Sequence, residues 1–148
     1  MNDPIICVDR SIRPSYPVWV QTVMHPELEN TGPAEFDITK TEQWLHDKQK
    51  QDKRIGGNQL YVYLKKNGIL KTCLGLRDLE EIQKKGIVFF RKYFKSKYVC
   101  GWKGVVMSRH DDDLKVPYLC ELDDKVVQGW HDLISRWPDA SPALRFAS

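Results

Sequence analysis

The chain has 148 residues, 41% of them hydrophobic and 29% charged, and a net charge of +3. That balance excludes an intrinsically disordered chain and a polyelectrolyte matched along its whole length to DNA, and it suffices for one ordinary core. The longest apolar run is a few residues, far short of the roughly 20 needed to cross a bilayer, so the expectation is a soluble protein with no membrane partner. The N-terminus MNDPIICVDR lacks a basic-then-apolar export signal, and one domain over 1–148 is expected. Cys7, Cys73, Cys100 and Cys120 are widely spaced with no C-x-x-C pair. They read as reduced thiols rather than as zinc ligands or a redox motif.

Taken in chain order, IICV at 5–8 fits a short strand. Residues 10–37 carry Pro14, Pro17, Pro26, Gly32 and Pro33, which makes this an ordered, Pro-rich loop region with room for one short helix at 18–24. Thr39 followed by Glu42 has the spacing of a capping box and predicts a helix to about Lys50, with Trp44 and Leu45 facing inward. Gly56 and Gly57 break the chain. Asn58 is placed to cap a second helix that ends at Asn67 and Gly68. From Leu76 to Lys95, Leu79, Ile82, Gly86, Phe89, Phe90 and Tyr93 recur at three- and four-residue steps, the pattern of one long amphipathic helix.

The period changes at Tyr98. Alternation through Cys100, Trp102 and the run GVVM predicts a strand, SRHDDD a polar turn, and LKVPYLCEL a second strand placed at an edge or bulged by Pro117. Asp123 or Asp124 then caps a predicted final helix, KVVQGWHDLISRW, with Val126, Val127, Trp130, Leu133 and Ile134 as its stripe. The tail 139–148 ends in Leu144 and Phe146, expected to dock as a plug. The fold class expected from this reading is α+β, several helices packed on a C-terminal β-hairpin or small antiparallel sheet.

No arrangement of residues forces a reaction. His25, His46, His110 and His131 lack the i, i+4 spacing of a metal-binding helix, and Asp111, Asp112 and Asp113 lack the alternating ligands of a calcium loop, so no metal, cofactor or catalytic residue is assigned. A small metal-dependent hydrolase or nuclease would require His25 or His46 to meet Asp9, Glu27, Glu29 or Glu35. RIGGNQ and TGP match no phosphate-binding loop. The strongest binding signal is the run from Lys84 to Lys103, which holds seven Lys or Arg and no acidic residue. Lys84, Lys85, Arg91, Lys92, Lys95, Lys97 and Lys103, with Trp102, are the candidate binding residues for a protein partner or for nucleic acid.

Within YVCGWKGVVMSRHDDDLKVPYLCELDDKVV, the positions Gly101, Trp102, Gly104, Val105, Val106, Val116, Pro117 and Tyr118 resemble a pattern in small bacteriophage and prophage proteins. The named group it is similar to is the tail assembly chaperones, over residues 98–127 only. The resemblance implies a non-enzymatic phage accessory protein that binds a phage structural or host protein, in virion or tail assembly, in the host cytoplasm or associated with the virion. The alternative is a nucleic-acid-binding or anti-host-defence protein that uses the basic 84–103 face. The oligomeric state is left open.

Overall fold

The computed structural model describes residues 3–146. Strand and helix contribute almost equally, 31% and 29%, and the centre is a seven-stranded mixed sheet. The expected arrangement of helices packed on a C-terminal hairpin is therefore corrected: three short helices cover a sheet drawn from both halves of the chain.

The sheet is built around β8 (Leu114–Leu122). One edge of β8 pairs along its length with β9 (Lys125–Asp132), from Lys115↔Asp132 to Leu122↔Lys125. Asp123 and Asp124 join the two strands, and both sit in the left-handed region with φ 52° and 61°. Two left-handed residues make the tight turn whose twist matches antiparallel strands, and Asp tolerates that backbone. The predicted final helix is thus strand and turn instead. Val126, Val127 and Trp130 satisfy a period of two as readily as a helical stripe, and the tight turn delivers them to β8.

The other edge of β8 carries β7 (Val106–Ser108) near its start and β6 (Val99–Cys100) further along. Between them the chain rises through a 3₁₀ turn at Trp102–Gly104. Pro117 lies opposite this break. Its carbonyl accepts from Gly101 N–H at 2.9 Å, so its missing N–H faces the same gap, where no ladder bond is lost. The predicted edge position or bulge of Pro117 is replaced by an interruption in the partner. Gly104 makes room for the ring, since a Cβ there would stand 2.8 Å from Pro117 Cγ.

The sheet continues from β6 to β11 (Ala143–Phe146), paired in parallel, and from β11 to β4 (Thr41–Trp44), paired antiparallel from Ala143↔Trp44 to Phe146↔Thr41. The expected helix over 39–50 is thus strand followed by a 3₁₀ turn at Asp47–Gln49, and the tail is a strand rather than a plug. β2 (Val20–Val23), expected as a short helix, closes the far edge on β7. Two ribbons stand apart, β1 (Ile5–Cys7) with β3 (Glu35–Asp37) and β5 (Ile55–Gly56) with β10 (Arg136–Trp137).

Alternation along the central strands feeds two cores. Val99, Leu119 and Leu144 enter one with Leu79, Ile82, Phe89, Phe90 and Phe94 of α2 (Leu76–Lys84) and α3 (Ile87–Phe94). Cys100, Val116 and Ala143 enter the other with Leu60, Tyr61 and Leu64 of α1 (Gly57–Lys66), together with Trp102 and Trp137. A strand buried on both faces loses the polar alternation that marks an amphipathic one. The N-terminal segment is tied down by Arg10, which pairs with buried Asp78 of α2 at 2.8 Å and donates to Pro33 O at 2.6 Å.

The predicted long helix is broken. Gly86 has φ +90°, α2 ends before it and α3 starts after it, yet the expected apolar residues on either side still face one core. An added Cβ at Gly86 meets nothing within 4 Å, so Gly86→Ala tests backbone strain alone. We expect a loss of about 1–2 kcal/mol in urea unfolding with the m-value unchanged. A continuous helix would instead gain up to about 1 kcal/mol from the same change.

Candidate ligand-binding site

The basic run does not present one face. Lys84 pairs with Glu81 at 2.9 Å, and Lys85 and Lys92 lie 5.8 Å and 5.4 Å from the rings of Phe89 and Tyr93. Arg91 grips Glu121 and also Asp124, the latter at 2.7 Å, which ties α3 to the β8–β9 turn. Trp102 is fully buried at 0% exposure and Lys103 is 5% exposed. Burial pushes the Lys103 ammonium below its ordinary pKa, partly countered by nearby Asp78. These two residues build the interior and take no part in a surface site.

Lys95 and Lys97 behave differently. Together with Ser96 they line an open cleft of about 560 Å³ between the end of α3 and the β8–β9 turn. Ser96 is left-handed (φ 63°), as are Asp123 and Asp124 on the opposite wall, so three of the six left-handed non-glycine residues among the described residues converge here. Such backbone states gather at ligand sites because the surrounding structure must hold them in place.

Tyr98 divides this cleft from an inner cavity of about 250 Å³. Its backbone N–H donates to Ala140 O at 2.7 Å, and the residue is 47% exposed. Behind it, Tyr118 stands edge-on at 5.5 Å, followed by His131 at 6.2 Å from Tyr118 and Trp137 at 4.3 Å from His131. Tyr118 can lie over β9 because its partner in the register is Gly129, where a Cβ would fall 2.6 Å from the phenol ring. Arg54 and Arg136 stand at the cavity, and no acidic residue lines it. Among the described residues, Lys95, Lys97, Arg54 and Arg136 make no ion pair.

Burial lowers the His131 pKa from its ordinary value, with Asp132 opposing the shift, so the ring is neutral at pH 7. Its Nε2 is buried without a hydrogen-bond partner. An unpaired N–H costs more there than an unpaired lone pair, which places the proton on Nδ1. The aromatic wall supplies stacking surface, and the four cations supply charge for an anion. Burial also raises the Tyr118 and Cys100 pKa values, so neither ionises at neutral pH to act as a nucleophile.

The histidines proposed for hydrolysis lie elsewhere. His25 Nε2 meets Tyr61 Oη at 2.5 Å and its Nδ1 stands 3.6 Å from Glu27, while His46 packs edge-on against Tyr63 at 4.5 Å. Of the required carboxylates, His25 meets Glu27 only, and no group of three or more His, Cys, Asp or Glu converges among the described residues. No described helix is long and apolar enough to cross a membrane.

Of the site, the sequence singled out Lys95 and Lys97 as binding residues, weighed His131 only as a metal or catalytic candidate, and placed Tyr118 only in the phage resemblance. Arg54, Tyr118, His131 and Arg136 come from three separate stretches, and no local spacing joins them. Tyr98 was visible only as the start of a strand. Comparison with protein-family models, with curated proteins and with solved structures finds no match, so the chemistry of the cleft carries the reading.

The depressed His131 pKa has a consequence for stability. The unfolded chain takes up this proton near pH 6.5, whereas the native chain does so only at lower pH. The associated stability is complete above pH 6.5 and is lost as pH falls through the window beneath it. Urea midpoints measured from pH 7.5 to 5 should therefore decline, and His131→Gln should flatten that decline. An unchanged slope would show that His131 charges freely in the native protein.

Proposed function

We propose that the protein is a non-enzymatic binder of single-stranded nucleic acid, held in the cleft around Tyr98. The observation that carries this reading is an exposed tyrosine ring flanked by four cations without acidic partners, two on each side. An aromatic face accepts any unpaired base, and Lys or Arg beside it neutralises the backbone. A tyrosine in a cleft favours a flexible strand, since a duplex keeps its base faces stacked inside. The acidic wall is partly neutralised in advance, because Arg91 already holds Glu121 and Asp124.

The phage accessory role based on Trp102 has less support. Gly101, Trp102, Gly104, Val105 and Val106 are all buried, so the residues that carry the resemblance are accounted for by core packing. What remains of the basic-run expectation is its last part, Lys95 and Lys97, moved from the outer helix face to a cleft.

A labelled single-stranded oligonucleotide titrated by fluorescence anisotropy tests the proposal. With about four phosphates neutralised, the slope of log affinity against log salt should be roughly −3. Tyr98→Ala should weaken binding about 5- to 100-fold, and the double change Lys95→Glu, Lys97→Glu should abolish it at moderate salt. Lys92→Glu, on the outer face of α3, should leave affinity nearly unchanged. Equal loss in the Lys92 variant, or tighter binding of the matching duplex, would move the site away from this cleft.

A further inference from the structure

The inner cavity differs in character from the cleft that leads to it. The cleft mixes Lys95 and Lys97 with Glu121, Asp123 and Asp124, whereas the cavity has two arginines and no carboxylate. Arg136 belongs to β10 of the small β5–β10 ribbon, and Arg54 immediately precedes β5. The ribbon's register pairs Trp137 with Ile55, both fully buried, and Arg136 with Gly56. Arg54, two residues before Gly56, lines the same cavity as Arg136. Two guanidinium groups at one cavity, with no carboxylate in its lining, suit an anion that bridges them.

The cavity wall also limits what that anion is. Cys100 and Ser141 line it and are both buried, and the backbone bonds from Tyr98 N to Ala140 O and from Cys100 N to Pro142 O close the wall behind them. A terminal phosphate needs the chain to approach from one side only, whereas a phosphate within a strand needs room for the chain both to enter and to leave. At about 250 Å³ the space falls below the roughly 300–1,000 Å³ of pockets that bury a drug-sized ligand, so it admits an end group. A terminal phosphomonoester carries about −1.5 to −2 charges at neutral pH, against one for an internal diester, and its oxygens suit paired forks of arginine N–H donors.

We infer that the cavity between Arg54 and Arg136 is an end-binding pocket that takes the terminal phosphate of a single strand lying in the Tyr98 cleft. The inference rests on the reading of that cleft as a nucleic-acid site. Tyr98 then stacks on the terminal base or its neighbour, Arg54 and Arg136 bridge the phosphate, and Lys95 and Lys97 follow the backbone outward.

The test compares one oligonucleotide sequence carrying a 5′-phosphate, a 3′-phosphate or hydroxyl groups at both ends, with wild-type protein and with the double variant R54Q/R136Q. Both arginines are exposed, and a circular dichroism melt confirms that the variant folds. One phosphorylated form should bind about 10-fold more tightly than the hydroxyl form. In the double variant that preference should vanish, and the salt slope for the hydroxyl form should fall from roughly −3 to about −1.4 as two of the four cations are removed, with Tyr98, Lys95 and Lys97 still binding it. Equal binding of the three forms by wild-type protein overturns the end pocket and leaves the cleft standing; no binding of any form overturns both. A preference that survives in the double variant also overturns the pocket. Inorganic phosphate and a nucleoside monophosphate serve as competitors. If either binds as tightly as the phosphorylated strand, the cavity serves a free small anion and end recognition fails.

Discussion

Everything in this protein depends on β8 being used on all four of its sides. Its two edges hold β9 on one and β6 with β7 on the other, and its two faces send Val116 to one core and Leu119 to the other. A strand so placed has its backbone polar groups paired within the sheet, and water is excluded from both faces. Pro117 fits because its missing N–H faces the one interruption in the ladder, and Gly104 and Gly129 clear space for Pro117 and Tyr118. Small residues at these contacts let large rings approach the backbone.

The same strand places the candidate site. Tyr118 and the facing His131 lie on the side of β8 that meets the second core, and β6 brings Tyr98 alongside. The turn after β8 forms a wall of the outer cleft, held by Arg91 from α3. The charges of the chain thus divide by task. Arg10 with Asp78 fastens the N-terminal segment, Arg91 fastens the turn, and four of the cations that make no ion pair lie around Tyr98. Buried pairs are poor sources of net stability but strong constraints on register, which is the use made of Arg10 and Asp78 here.

Local chemistry was legible where an element is amphipathic and closed by its own residues. The helix at 57–66 follows from its apolar spacing and its stop at Asn67 and Gly68, and the faces of Leu79, Ile82, Phe89 and Phe90 were read correctly across the break at Gly86. The antiparallel pairing of the strand at 114–122 with residues before it was also legible in the change of period at Tyr98. The short strands β2, β4 and β11 were not, because three or four residues carry too little pattern to outweigh a plausible cap or helical spacing. β9 was missed for a different reason. Val126, Val127 and Trp130 fit two periods at once, and only the pairing with β8 selects between them.

By itself, the sequence determined that a hydrophobic core exists, that the segment 76–95 buries one apolar side, and that positive charge concentrates between residues 84 and 103. These are properties of composition and of spacings within a few turns. Tertiary structure alone decided which cations remain available. Trp102 and Lys103 went inside because the 3₁₀ turn packs against α2 and Pro117, Arg91 was taken by the turn, and Arg54 and Arg136 were brought to Tyr98 by a two-residue ribbon. Contacts between residues some forty to eighty positions apart leave no periodic trace in the chain, since their geometry is set by the sheet that joins them.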